Sequence, residues 1–206
     1  FPPANFLTLR PINISNQSFF DGKDHRKELP AVYNNYLRLS GEEGYDKSMD
    51  NIRALLFPLH ITAFCLCDSL EEDSYLGASQ VIIISASSKT GIGLAQGLVE
   101  KDRTPKIVGL TSKNNVDFVL SLGCYEEVIS YDDLDKIDRN LGSVMVDMAG
   151  NQAVLEALHK SLGPNILKCL TVGMTHWNSG VTVDDALAQA ALQSKTEFFF
   201  APSHIQ

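Results

Sequence analysis

The chain has 206 residues, of which 44% are hydrophobic and 20% are charged. This composition is typical of a folded protein with one substantial core, and it excludes an intrinsically disordered chain. The formal net charge of -8 at pH 7 excludes an extended cationic surface of the kind that binds nucleic acids or anionic membranes.

The first 48 residues are predicted to form a loop-rich segment. Prolines interrupt this stretch, and polar residues cluster at positions 13–18 and 21–27, which disfavours long helices and strands. The prolines are Pro2, Pro3, Pro11 and Pro30. Because the chain begins with phenylalanine and not with methionine, we expect it to be a piece of a longer protein.

Residues 49–72 show the periodicity of a helix. Apolar residues recur three or four positions apart on both sides of Pro58, which lacks the backbone N–H group that a helix interior uses. We therefore predict two helical pieces with a break or kink near Pro58. The longest apolar run, at residues 54–67, contains Pro58 and His60 and is shorter than a membrane span, so no membrane partner is expected.

Residues 80–99 are predicted to form a strand that turns sharply into a helix. Residues 81–84 are apolar and β-branched, as in a parallel strand covered on both faces, whereas residues 85–90 are mostly small and hydroxylated. From Gly91 onward, apolar residues recur at helical spacing. The free N–H groups and the positive dipole end of such a helix attract anions, so this turn predicts a phosphate-binding site.

Three known loop patterns can be compared with this turn. A P-loop requires glycine at the positions of Ile83 and Ser88 and is excluded. A short-chain dehydrogenase requires a lysine four residues after a tyrosine, and no tyrosine of this chain satisfies that spacing. The remaining pattern is the Rossmann loop, in which the GxxGxxG-like spacing is placed on Ser87, Thr90 and Gly93, with Gly91 as an additional glycine.

The rest of the chain alternates between short strands and helices. Strands are predicted at residues 106–110, 127–129, 144–147, 170–173 and 198–200, and helices at residues 116–122, 154–162 and 183–193. Alternation with short connections requires parallel strands joined by right-handed crossovers. The predicted fold class is therefore α/β, a doubly wound parallel sheet of the Rossmann NAD(P)-binding type at residues 49–206, preceded by the loop-rich segment at residues 1–48.

Four motifs occur in a recognisable order: SKTGIGLA at residues 88–95, GLTSK at 109–113, LGCYEEVISY at 122–131 and DMAG at 147–150. In order and spacing they resemble the medium-chain dehydrogenase/reductase superfamily, in particular its zinc-independent quinone-reductase branch. The turn DMAGN at residues 147–151 and the sequence Thr175-His176-Trp177 resemble more closely a related family of uncharacterised proteins, a domain of unknown function. The resemblance covers residues 33–206.

The resemblance also implies what this chain lacks. Full members of the superfamily begin with a GroES-like β domain that forms part of the substrate cleft and that holds most catalytic zinc ligands in the alcohol-dehydrogenase branch. Residues 1–48 resemble at most the tail of that domain, so no metal site is expected and the catalytic residues stay unknown. His60, His159 and His176 are interpreted as surface or structural histidines, since each is isolated in the sequence.

By resemblance, the chain is expected to be an NADPH-dependent, zinc-independent oxidoreductase that reduces a carbonyl, an activated alkene or a quinone as its small-molecule substrate. The residues expected at the cofactor NADP(H) are Ser88, Lys89, Thr90, Gly91, Ile92, Ser112, Lys113, Tyr131, Ala149, Gly150 and Gly173. The alternative is a non-catalytic dinucleotide-binding or interaction module, because two of the three loop glycines are replaced. Four scattered cysteines in apolar surroundings indicate reduced thiols and a cytoplasmic protein, and a homodimer is left open.

The end of the second Rossmann strand, at residues 110–114, predicts the choice of cofactor. In this fold an acidic side chain at that place binds the adenosine ribose of NAD and would repel the additional phosphate of NADP. No carboxylate occurs in this stretch, while Ser112 and Lys113 offer a hydroxyl group and a positive charge. We therefore predict a preference for NADPH. The resemblance to quinone reductases adds that Tyr131 would lie against the adenosine.

Overall fold

A computed structural model of the protein describes residues 6–172 and 194–204. The chain divides into two compact units, Phe1–Ala54 and Leu55–Gln206. Three predictions concern residues outside the described ones: the helix at residues 183–193, the cofactor contact of Gly173, and the sequence Thr175-His176-Trp177 with its histidine.

The first unit contains a small antiparallel sheet that was not predicted. Its strands β1 (Pro11–Ile12), β2 (Ser18–Asp21) and β3 (Asn35–Leu37) pair in that order. Phe19 and Tyr36 lie directly opposite each other on β2 and β3, and their rings stack with centroids 5.4 Å apart. Strands this short show no period of two in a sequence. Only a loop-rich segment could therefore be predicted here.

A single helix, α1 (Asp50–Glu72), replaces the two predicted helical pieces, so a break near Pro58 is wrong, while a kink there stays a prediction. Pro58 and Ala54, whose carbonyl group loses its helical partner, are both exposed, so water can satisfy that carbonyl. The hydroxyl of Thr62 donates to the Pro58 carbonyl oxygen at 2.9 Å. The helix can therefore continue through the proline at a tolerable energetic cost.

The second half of α1 belongs to the core of the second unit. Its buried residues are Ala63, Cys65, Leu66, Cys67 and Leu70. By length and composition alone, Lys47–Glu72 is apolar enough to cross a membrane. Core helices of globular domains pass the same test, and burial accounts for the apolar residues of the second half only. In the first half, Leu55, Leu56 and Phe57 are exposed.

The second unit is built on a six-stranded sheet in which every pair of neighbours is parallel. Its strands are β4 (Gln80–Ile84), β5 (Lys106–Thr111), β6 (Glu127–Ser130), β7 (Ser143–Asp147), β8 (Ile166–Thr171) and β9 (Thr196–Phe198). The helices after them are α2 (Lys89–Val99), α3 (Val116–Ser121) and α4 (Gln152–Leu162). The strand order is β6-β5-β4-β7-β8-β9. The chain thus winds first to one side of β4 and then to the other, which confirms the predicted doubly wound α/β fold.

Both faces of the central strand β4 are covered. Val81 and Ile83 pack with α1 and α2 on one face, while Ile82 and Ile84 pack with α4 on the other, and all four side chains are fully buried. A strand that is buried on both faces needs apolar residues without alternation. This requirement explains the continuous apolar run of residues 81–84.

Strands β8 and β9 begin earlier in the chain than predicted, whereas the other strands of this sheet differ from their predictions by one residue. Strand β8 begins at Ile166, before the predicted start at residue 170. The prediction missed this start because Lys168 interrupts the apolar pattern. The ammonium of Lys168 forms an ion pair with Glu197 of β9 at 2.9 Å, so a charged residue is accommodated inside the strand. Strand β9 ends at Phe198, where the prediction had placed its first residue.

Candidate cofactor site

The carboxyl ends of β4, β5 and β7 meet where the strand order reverses direction. Three turns follow these strands at the same edge of the sheet: residues 85–88 after β4, residues 112–115 after β5 and residues 148–151 after β7. Ligands of doubly wound sheets bind in the crevice at this reversal point. The predicted cofactor residues that the structure describes lie in or next to these turns, with Tyr131 directly after β6.

The turn after β4 shows that the predicted placement of the GxxGxxG-like spacing is wrong by two residues. Ser85 has a φ of 67°, the left-handed conformation that the first glycine of such a loop normally adopts. Ser88 is the N-cap of α2, and its Oγ accepts from the Gly91 N–H at 3.1 Å. A Cβ on Gly91 would lie 3.0 Å from the Ser85 carbonyl oxygen. The spacing therefore falls on Ser85, Ser88 and Gly91.

Long-range hydrogen bonds hold this turn although serine replaces its first glycine. The Ser85 N–H donates to the Tyr131 hydroxyl at 3.0 Å, and the Ala86 N–H donates to the Leu110 carbonyl oxygen at 2.9 Å. The hydroxyl of Tyr125 donates to the Ala86 carbonyl oxygen at 2.9 Å. A non-glycine residue in the left-handed region costs about 1–2 kcal/mol. The three hydrogen bonds with Leu110, Tyr125 and Tyr131 offset this cost.

The start of α2 retains free donors for an anion. The Gly91 N–H is already bound by Ser88, and the Ile92 N–H donates to the Ser88 carbonyl oxygen at 2.9 Å. The N–H groups of Lys89 and Thr90 donate to no residue in the described part of the chain. The Lys89 side chain is exposed. Two backbone donors and one cation can therefore face a phosphate at this helix end.

Thr111, at the end of β5, and the turn that follows it supply donors and no carboxylate. Ser112 and Lys113 are exposed, as the predicted ribose contact requires. The hydroxyl of Thr111 and the amide Nδ2 of Asn115 each donate to the Ser87 hydroxyl oxygen at 3.2 Å. In the sequence, Ser87 was placed only in the loop pattern, and neither Thr111 nor Asn115 was expected at the cofactor. Their small polar side chains give no periodic signal, and only the location of Ser87 in the turn and of Thr111 at a strand end could have indicated them.

Tyr131 extends from the end of β6 to the turn after β4, where its hydroxyl accepts from Ser85. Burial raises the pKa of this hydroxyl, and the hydrogen bonds from Ser85 act in the opposite direction. The side chain is half-buried. The structure thus assigns Tyr131 a contact with the turn, and its predicted contact with adenosine stays a prediction.

The turn after β7 is held by a buried carboxylate. Asp147 is fully buried and accepts from the Ala149 N–H at 2.9 Å and from the Gly150 N–H at 3.0 Å. Gly150 has a φ of 68°, and Asn151 caps α4 by accepting from the Val154 N–H at 3.4 Å. Ala149 and Gly150 therefore lie in a rigid turn beside the candidate site, and their predicted contact with the nicotinamide depends on this position.

Two described histidines of the second unit, His60 and His159, were considered as acids in the sequence. His159 is in the last turn of α4, roughly 10 Å along the helix from the capped end next to the site. Burial lowers its pKa, and its Nε2 atom is buried with no hydrogen-bond partner among the described residues. His60 is exposed on α1. His159 is therefore not placed to act as a general acid at the cofactor site.

In residues 6–172 and 194–204, no three His, Cys, Asp or Glu side chains form a group that could hold a metal ion. Dialysis against EDTA should therefore leave the thermal unfolding midpoint and the cofactor affinity unchanged. Structural zinc contributes folding free energy directly, so a chelator would unfold a zinc-dependent domain. The same dialysis with zinc added back is the control, and one equivalent of zinc in the purified protein by elemental analysis would contradict this prediction.

The amino-acid sequence matches one known protein family. The sequence profile of the family described as "Protein of unknown function (DUF2855)" matches residues 1–206. No curated protein matches the chain. Several solved structures are similar to it in fold.

Among these, a proposed NADPH:quinone reductase from Mesorhizobium loti is 10% identical with a TM-score of 0.60, and the match covers 90% of this chain and 54% of that one. A mutant form of enoyl thioester reductase from Candida tropicalis is 13% identical with a TM-score of 0.50, over 84% and 52% of the two chains. The CurK enoyl reductase is 14% identical with a TM-score of 0.51, over 86% and 50%.

The chain thus spans about half the length of these solved structures. At these low identities, the structural similarity shows a shared fold alone. The shared fold agrees with the resemblance to medium-chain dehydrogenases and reductases noted in the sequence. What those proteins bind or reduce does not follow for this chain from the shared fold alone.

Proposed function

We propose that this chain, which belongs to the DUF2855 family, is an oxidoreductase whose Rossmann unit binds a nicotinamide dinucleotide, specifically NADP(H). One observation supports the proposal most directly: the free N–H groups of Lys89 and Thr90 and the Lys89 ammonium lie at the reversal point of the sheet. That is where a doubly wound sheet receives a pyrophosphate.

The residues present fit such a cofactor, with one difference from a glycine loop. Ser88 stands where a glycine would permit close backbone approach, but its side chain folds back onto the Gly91 N–H. Space for a phosphate over the helix start is therefore kept, but the Gly91 N–H is no longer free to bind that phosphate. The exposed ammonium of Lys89 offers a charge-assisted contact in its place.

Bound NADPH would supply a hydride, and this chain's residues would bind and orient it. Lys89 and Thr90 would hold the pyrophosphate, Ser112 and Lys113 would hold the adenosine ribose and its phosphate, and the turn with Gly150 would border the nicotinamide. The names of the similar structures, a quinone reductase and enoyl reductases, support a quinone or an activated alkene as the small-molecule substrate. A carbonyl is the third candidate, from the resemblance noted in the sequence. We propose that the reaction needs no zinc and that His159 is not its catalytic acid.

A second function is favoured by the same loop. Serine at positions 85 and 88 reduces the space and the donors that a glycine loop would offer, which suits a non-catalytic dinucleotide-binding or interaction module. All four cysteines are free and buried, which supports a reducing, cytoplasmic location. We propose no nucleic-acid or membrane partner, and a homodimer is compatible with either function.

One titration separates these functions. NADPH is added to the protein while the nicotinamide fluorescence is followed, and oxidation of bound NADPH is then measured with a panel of quinones and enals. Binding with oxidation is expected for the oxidoreductase. Binding without oxidation by any panel member would indicate the non-catalytic module, and the absence of binding would contradict both functions.

Replacing Lys89 with alanine should weaken NADPH binding about tenfold, because an exposed charge-assisted hydrogen bond contributes roughly 1.5 kcal/mol. Lys160→Ala is the matched control, since this exposed lysine lies in the last turn of α4, away from the site. Isothermal titration calorimetry measures both variants. Equal affinities in Lys89→Ala and the unmodified chain would show that this ammonium makes no contact with the cofactor.

NADPH should bind about tenfold more tightly than NADH, because residues 110–114 place a cation and no carboxylate at the ribose position. Lys113→Glu should remove or reverse this preference. Lys160→Glu makes the same charge change far from the site and should leave the ratio unaltered. If calorimetry shows equal or tighter binding of NADH in the unmodified chain, the residues after β5 do not select the cofactor.

A further inference from the structure

The Ser87 hydroxyl connects the turns after β4 and β5. Thr111 is buried at the end of β5, and the short helical turn Lys113–Asn115 brings Asn115 back over this strand end. Both side chains reach the Ser87 oxygen at 3.2 Å, and both donate to it. The Asn115 backbone N–H donates to the Ser112 carbonyl oxygen at 2.9 Å, which holds the turn in place.

The number of lone pairs on Ser87 determines what this hydroxyl can still do. A serine oxygen has two lone pairs and one proton. Thr111 and Asn115 occupy both lone pairs, so the proton is left to be donated. Among residues 6–172 and 194–204 it has no acceptor. Ser87 is half-buried in the turn after β4, and its hydroxyl is therefore left with a donor for a ligand at that turn.

The neighbouring groups are donors as well. The Asn115 amide carries a second N–H, and the exposed Ser112 and Lys113 add a hydroxyl and an ammonium. Such a set suits a ligand group that only accepts, such as a phosphate monoester, better than a ribose hydroxyl, which must also donate.

We infer that Ser87, oriented by Thr111 and Asn115, is a specificity-determining donor to the 2′-phosphate of NADP. This inference rests on the proposed function. It attributes the discrimination between NADP and NAD to the Ser87 hydroxyl in addition to the exposed ammonium of Lys113. Asn115 and Thr111 are positioning residues, since they act by occupying the lone pairs of Ser87.

Adenosine 2′,5′-bisphosphate and adenosine 5′-monophosphate differ only in the 2′-phosphate, so the ratio of their dissociation constants measures this site alone. By calorimetry the unmodified chain should bind the bisphosphate about tenfold more tightly. Ser87→Ala should reduce the ratio to about two or three, and Ser87→Thr, which retains the hydroxyl, should restore it. Asn115→Asp should abolish the preference, because the new carboxylate accepts the Ser87 proton and repels the phosphate.

Asn140→Asp is the matched control, because it makes the same charge change at an exposed residue before β7, at the sheet edge opposite the site. Its effect on the ratio should be clearly smaller than that of Asn115→Asp. Thermal unfolding of each variant shows that the domain is folded.

If both nucleotides bind and Ser87→Ala leaves the ratio unchanged, the inference is wrong and the proposed function stands. Equal affinities for the two nucleotides in the unmodified chain would also overturn it. If neither nucleotide nor NADPH binds the unmodified chain, the proposed function itself fails.

Discussion

Replacing Gly91 with alanine should destabilise the second unit by about 2–3 kcal/mol relative to Gly97→Ala in the same helix. A Cβ on Gly91 would lie 2.9 Å from Ser88 Oγ and 3.0 Å from the Ser85 carbonyl oxygen. The backbone oxygen can move only if the whole turn after β4 moves. Cofactor binding should therefore weaken together with stability, because the same turn presents the N–H groups of Lys89 and Thr90.

Gly97 provides the control because its Cβ would lie 3.4 Å from Cys67 Sγ, an ordinary van der Waals contact. Both variants gain the same helix propensity, about 1 kcal/mol from glycine to alanine, so their difference reports the steric clash. Urea unfolding measures the two free energies of unfolding. Equal stability of the two variants would show that the close approach of α2 to the turn is not a constraint.

Raising the pH from about 9 to about 12 should lower the free energy of unfolding by about 4 kcal/mol through Cys169 alone. Burial raises the pKa of this thiol from its ordinary 9.0 to about 12, and the nearby Asp147 adds to the shift. Within this pH window the unfolded chain loses the thiol proton and the folded chain retains it. Since the folded state binds more protons, stability is complete below pH 9 and falls by about 1.4 kcal/mol per pH unit above it.

Cys169→Ala tests this contribution through the slope of stability against pH. The variant loses stability at every pH because a buried side chain is truncated. Between pH 9 and 12, however, its free energy of unfolding should fall less steeply, by the contribution of one proton, about 1.4 kcal/mol per pH unit. Burial shifts further pKa values upward in the same sense, at Cys65, Cys67, Tyr75, Cys124, Tyr125 and Tyr131. The variant should therefore retain part of the slope. An unaltered slope would contradict a buried, protonated Cys169.

The strands of the parallel sheet could be predicted because their signal is local. Residues 81–84 are all apolar and β-branched, and this run both predicts a strand and matches its burial between two helical layers. The same local pattern predicted α4, whose apolar residues face one side. Strands β1, β2 and β3 could not be predicted, because their stability comes from pairing with one another and not from their own residues.

The amino-acid sequence by itself determined the α/β fold, the central position of the turn after β4 and the absence of a carboxylate after β5, since each depends on neighbouring residues in the chain. Only the tertiary structure decided that Ser85 is the left-handed residue of that turn. The reason is that its partner Tyr131 is 46 positions away, and the Tyr125 bond to Ala86 spans 39 positions. Such contacts form only when β4, β5 and β6 have paired, so no local pattern contains them.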